Sequence, residues 1–229
     1  MTVTTRAAED TADRGAEVVR FREGAGRLSL DFIRTLRYRG TLGSVEELAD
    51  VPALVAWIAQ CGPCALALDP VLVRPTEVRD ARSLREAVHE LIVAARSPGG
   101  VSSSSFLSRE LVNRTAAVAV PTPRVDPSGA LLWIATDPVA ATLSMVARDA
   151  VDLVTSPAIE RVRECADPTC GALFVDNSRP GKRRWCSMGA CGNRAKKTTI
   201  RSKAASKAAQ NRDQAKGEKK DQERADGPV

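Results

Sequence analysis

The sequence predicts an α+β chain: a mostly helical N-terminal domain that includes one β-hairpin, then a small cysteine-bearing module that ends in a basic helix. Three observations carry this expectation. Apolar residues recur at helical spacing over residues 75–96 and again after Asp137-Pro138. Two β-leaning runs flank the turn signal Asp126-Pro127-Ser128-Gly129. At about residue 159 the composition changes, and four of the six cysteines lie beyond that point.

Residues 1–20 are polar, without an apolar period, and are expected to form a disordered leader. In GRLSLDFIRTL, Leu28, Leu30 and Phe32 alternate as in a strand, whereas Leu28, Phe32, Ile33 and Leu36 share a helical face. The stretch predicts a strand start passing into a helix. Ser44 with Glu47 three residues on spells a capping box. A second start near Asp50-Val51-Pro52 opens a helix with Leu54, Trp57 and Ile58 on one face, which stops at Gly62-Pro63. The helix over 75–96 turns Val78, Ala81, Leu84, Val88, Leu91 and Ile92 inward, with Thr76 as its expected N-cap. SPGGVSSSS is a loop, Phe106 to Ala117 a helix, and the runs around 126–129 a hairpin. The helix opened by Asp137-Pro138 runs to about Val154. These elements make residues 21–158 one domain. The cysteine-bearing module spans 159–205, and a charged, partly helical or disordered tail spans 206–229.

Composition limits the function. Of 229 residues, 43% are hydrophobic, enough for a buried core, and 3% are aromatic, so that core is aliphatic. No run approaches the length of about 18 apolar residues that spans a bilayer, and the first residues lack the apolar stretch of a signal peptide. A cytoplasmic protein without a membrane partner is expected. Residues 1–160 carry 17 Lys/Arg against 20 Asp/Glu, whereas residues 161–216 carry 14 against 4. A mildly acidic body with a strongly basic segment points to a polyanionic partner, nucleic acid first.

Cys165, Cys170, Cys186 and Cys191 read C-x4-C-x15-C-x4-C. Each close pair can reach one ion from a tight turn, and in a reducing compartment four such cysteines point to zinc rather than disulfides. The separation between the pairs fits a short hairpin: a strand Ala172-Leu173-Phe174-Val175, a turn at Asn177 to Gly181 and a return strand ending at Trp185. A segment this poor in apolar residues needs the metal to fold. Four thiolates close the shell and leave no position for a water, so one structural Zn²⁺ is expected, in a treble-clef-like zinc finger. No catalytic residue is expected.

The finger stretch CSMGACGNRAKK resembles the CGNR zinc-finger signature, with Trp185 ahead of the third cysteine and Cys191-Gly192-Asn193-Arg194 spelling the family's name. The preceding half is similar to the ABATE domain that accompanies this finger in bacterial proteins described as stress-induced transcription regulators. The similar pieces are GRLSLDFIRT, the Leu48 to Trp57 helix, ARSLREAVHEL and the long helix before the finger, which together cover about Phe21 to Arg201. The resemblance implies a zinc-bound, DNA-binding module in a bacterial, nucleoid-associated protein. One element departs from it. Where the family commonly shows Asp-x-x-Asn-Thr, this chain has Asp31-Phe32-Ile33-Arg34-Thr35, with Arg34 in place of the amide.

The expected partner is double-stranded DNA; a small-molecule effector and a homodimer are further partners of the N-terminal domain. Cys191 is expected in the first turn of the final helix. Arg194, Lys197 and Arg201 then share one face, and Lys196, Lys203 and Lys207 the opposite one, as suits a groove between two phosphate strands. Arg183 and Arg184 extend the contact from the hairpin. Arg194 either reads a base or packs on the finger, Asn193 fixes the turn around the metal or reads adenine, and Trp185 joins Phe174 in the core or stacks on a base. Two alternatives stay open. The finger does not by itself distinguish RNA from DNA. Cys61-Gly62-Pro63-Cys64 spells an oxidoreductase dithiol, but at the C-terminal end of a helix, where the dipole opposes a thiolate. His89, the single histidine, has no second imidazole for catalysis and is expected on a polar helix face.

Overall fold

The computed structural model describes residues 21–208 except 65, 67 and 205. The expected leader, 1–20, and the tail beyond residue 208 lie outside the described residues. The body is built from α1 (Leu28–Ile33), a two-residue ribbon of β1 (Leu36–Arg37) and β2 (Val45–Glu46), α2 (Val51–Cys61), α3 (Pro75–Ala95), α4 (Phe106–Ala116), a hairpin of β3 (Thr122–Val125) and β4 (Leu131–Ile134), and α5 (Pro138–Thr155). Helices α3, α4 and α5 pack on one another, and α1 lies against α3 and α5. Antiparallel β5 (Val162–Glu164) and β6 (Leu173–Val175) follow. A π-turn at Met188–Gly192 then leads into α6, residues 193–204.

Local chemistry explains most boundaries. The Asp50 carboxylate accepts from Ala53 N–H and caps α2, with Pro52 in the first turn. The helix ends where Gly62 N–H bonds Ile58 O and the chain turns extended. A Cβ at Gly62 would stand 2.3 Å from that carbonyl oxygen, so only glycine fits there. Asp137 caps α5 through Ala140 N–H, and the six apolar positions expected to face inward from α3 are all buried. Trp57 and Phe32 meet edge to face, 4.9 Å between centroids, at the centre of the core.

Four expectations are corrected. Among the described residues no strand precedes α1: Gly24 and Gly26 have positive φ, and the Asp31 carboxylate collects the N–H groups of Gly24 and Ala25, folding the chain into a turn over the helix. The strand follows α1 instead. Ser44 does not start a helix. Val45 and Glu46 pair with β1, Glu47 N–H bonds Thr35 O, and the two carboxylates go to Arg85 and Arg37 rather than to a helix end. The N-cap of α3 is Arg74 rather than Thr76. Pro75 takes the first helical position, and the Glu77 carboxylate accepts from Arg74 N–H at 2.6 Å. The partner of β6 is β5, upstream of the first cysteine, not the segment that returns to Trp185. Pro180 and Gly181, with φ +60°, break the ladder on that return side, and Asp176 binds Ser178 and Arg183 N–H in a side-chain-closed turn.

The finger is not a bead on a string. Val175 N–H bonds Ala25 O, and Phe174 and Leu173 belong to the same contiguous buried cluster as Leu30, Phe32 and Leu153. Arg27 ties α1 to α5 through Asp149 at 2.8 Å and Asp152 at 2.5 Å.

Beneath the β1–β2 ribbon, Arg85, 3% exposed, makes a two-pronged pair with Glu46, both contacts 2.6 Å. Burial works against the Glu46 carboxylate, but the hydrogen bonds and charge of Arg85 hold it below its usual range. Its contribution to stability is therefore present above the unfolded carboxylate's pKa and is lost as pH falls through the depressed one. Arg85→Leu leaves Glu46 without its main partner and should cost about 3 kcal/mol in urea unfolding at pH 7. The gap between variant and parent should narrow below pH 4.

Candidate metal centre and nucleic-acid interface

The β5–β6 hairpin delivers the first cysteine pair. Cys165 N–H continues the ladder to Ala172 O, and the loop it closes carries Cys165 and Cys170. Asp167 shapes that loop: its carboxylate accepts from Thr169 N–H and Oγ1, and its carbonyl accepts from Cys170 N–H. The second pair arrives after the crossing segment, where Ala166 N–H bonds Arg184 O and Cys186 N–H points at Cys165 Sγ. Ser187 caps the last helix through Ala190 N–H, and a backbone bond from Gly192 N–H to Ser187 O winds the first turn as a π-turn. Cys191 lies in that turn, as the sequence predicts.

All four Sγ atoms are buried and within 4.8 Å of one another, with Cys170–Cys186 at 3.6 Å and Cys186–Cys191 at 3.7 Å. Sulfurs bound tetrahedrally at about 2.3 Å from one ion would stand about 3.8 Å apart, so the cage fits a zinc ion and is far too open for disulfides. The thiols also need the ion. Without it, a hydrogen bond from Cys186 holds Cys170 below the usual thiol range, while burial pushes Cys191 up and Cys170 pushes Cys186 up. A dication is what lets all four ionise together. The site is a single structural zinc centre.

The cations named from the sequence divide into two groups. Arg183 is absorbed by the finger. Its guanidinium lies 4.6 Å above the Phe174 ring and donates to the carbonyls of Trp185 and Cys186. Arg194 bridges the metal loop, bonding Asp167 Oδ2 at 2.9 Å and Thr169 Oγ1 at 3.2 Å, and faces the Tyr38 hydroxyl of the body. Asn193 donates to Gly189 O across the π-turn. Arg184, Lys196, Lys197, Arg201 and Lys203 instead stand exposed. Phe174 is fully buried, whereas Trp185 is half-buried beside Gly192, where it lines a groove with Ala195, Thr199 and Ile200. The sequence alone did not reveal Asp167; the signal was Asp-Pro-Thr in the first cysteine loop, a turn-forming run.

Cys61 and Cys64 are free, at the C-terminal end of α2. Burial, reinforced by Glu23, raises Cys61 to about 12, the reverse of what a redox nucleophile needs. Cys64 is buried, its sulfur 3.9 Å from that of Met145. His89 is half-buried on α3; burial and then Arg39 lower it to about 4, so it is neutral at pH 7.

Two measurements check this picture. The purified protein should bind one zinc per chain. Cys186→Ser should abolish that stoichiometry and the amide protection of residues 162–204, and acidification should release the ion because each ligand must be deprotonated. In the zinc-loaded protein Cys61 should react with a thiol probe more slowly than an unactivated cysteine.

Comparison with known proteins agrees with this geometry. No curated protein matches the chain. Residues 161–204, which hold the whole cage, match the CGNR zinc finger. Residues 26–157 match ABATE, described as "Putative stress-induced transcription regulator", and because that match covers more than half of the sequence, the chain belongs to the ABATE family and carries a CGNR zinc finger at its C-terminal side.

Proposed function

We propose that this chain is a DNA-binding transcription regulator and not an enzyme. Residues 159–205 grip duplex DNA, and residues 21–158 sense a small-molecule effector or mediate dimerisation. The observation that carries the proposal is a set of cations that make no ion pair among the described residues. Arg184, Lys196, Lys197, Arg201, Lys203 and Lys207 are all exposed, and the single ion pair of the finger among the described residues is Arg194 with Asp167. On α6 Lys197 and Arg201 fall on one side and Lys196 and Lys203 on another, as suits phosphates flanking a groove. Arg183, Asn193 and Arg194 are committed to the finger, which supports a role in positioning the helix rather than in reading bases. The matched families are regulator and zinc-finger families, which supports the same function. No helix among the described residues is long and apolar enough to cross a membrane, and a cytoplasmic, nucleoid-associated protein is the setting we propose.

Six phosphate contacts give log K against log salt a slope of about −5, at roughly −0.9 per phosphate. Lys197→Ala with Arg201→Ala should flatten the slope by about 2 and weaken binding alike across sequences. A slope near zero would remove the nucleic-acid role, and duplex RNA outcompeting duplex DNA at equal salt would reassign it.

A further inference from the structure

A second cationic feature lies where the body meets the zinc loop. A cleft of about 20 Å³ opens between the β1–β2 ribbon and the Cys170–Leu173 segment, and Arg22, Arg34, Arg37 and Arg39 line it together. That volume holds about one water, so it admits the tip of a ligand rather than a whole one. The arginines are incompletely satisfied. The Arg34 side chain is 5% exposed, yet the two hydrogen bonds it makes among the described residues, to Glu23 O and Asp31 Oδ1, are both 3.4 Å, longer than a good N–H···O bond. Arg37 spends its two terminal nitrogens on Glu47 and Tyr38, each at 3.0 Å, and its Nε is buried with no acceptor among the described residues. Arg39 is held by Glu86. Among the described residues Arg22 makes no ion pair. Buried cations short of acceptors are costly unless an anion completes them.

We propose that this cleft binds one small oxyanion group, a carboxylate or a phosphate, with its oxygens accepting from the guanidinium groups of Arg22 and Arg34, which line it. The role as an effector site rests on the regulator function proposed above; the binding itself does not. The location gives the site its interest. The ribbon forming one wall carries Tyr38, a non-glycine residue with φ +53°, whose hydroxyl lies between Arg37 and Arg194. The other wall is the loop that carries a zinc ligand, so the bound anion touches the sensing body and the metal module at once. His89, on α3, also lines the cleft and reports on it as the single histidine of the chain.

The test titrates sodium phosphate, and in parallel sodium acetate, into the full zinc-loaded chain at ionic strength held constant with sodium chloride. Calorimetry and the His89 imidazole NMR signals are the readouts. Saturable binding of either anion with a shift of the His89 signals is expected, and the stronger of the two identifies the source of the oxyanion. Arg34→Gln, and independently Arg22→Gln in case the buried variant does not fold, should each weaken binding about tenfold, the loss of one charge-assisted contact. Lys197→Ala with Arg201→Ala should leave it unchanged. No saturable binding of either anion overturns the proposal, as does binding that survives both cleft variants or disappears with the α6 variant. Duplex DNA affinity of the same samples keeps the two ideas apart. Anion binding without DNA binding sinks the regulator role alone, and DNA binding without anion binding sinks the site alone.

Discussion

Four cysteine sulfurs held within 4.8 Å of one another repel as soon as more than one ionises, and burial makes that repulsion stronger. A divalent ion reverses the balance, and the rest of the finger is arranged to serve it. The β5–β6 loop supplies two ligands, the crossing segment a third and the π-turn a fourth. Arg183 turns inward to brace the Cys186 carbonyl, and Arg194, though exposed, bends back onto the Asp167 loop. Most of the remaining positive charge in the finger stays outside. One ion thus sets both the fold of the finger and the direction in which its charge faces.

The same constraint reaches into the body. Because β6 bonds Ala25 and buries Phe174 in the common cluster, the metal loop is registered against α1 and the β1–β2 ribbon rather than hung from a linker. Arg194 faces the Tyr38 hydroxyl across that seam.

Much of this was legible in the sequence where one local rule acted alone. Asp50, Asp137, the inward positions of α3 and the four-cysteine spacing each follow from periodicity, capping or ligand geometry, and each stands where expected. The misses share a different cause. Glu46 and Glu47 look like helix-start carboxylates until Arg85 and Arg37, distant or across the ribbon, claim them. The strand Leu173–Val175 was visible, but its partner was misjudged, since either neighbouring segment could pair with it and the choice fell to Pro180 and Gly181. Arg183 reads as surface charge because nothing in a one-dimensional pattern reveals Phe174 beneath it, whereas for Arg194 the sequence leaves base contact and packing on the finger both open, and Asp167 supplies the second. Local chemistry writes itself into spacing, whereas long-range pairing does not.

The Gly-Pro between Cys61 and Cys64 carries one last consequence. Glycine is there because any larger residue would strike the Ile58 carbonyl, and proline follows because the helix has to stop. The four-letter spelling shared with thiol oxidoreductases is thus a by-product of chain reversal. Such a word has a polarity: the same letters mean a reactive pair when they open a helix and a mere full stop when they close one. A census of redox proteins that weighs the direction of the neighbouring helix will rank a dithiol placed like this one low.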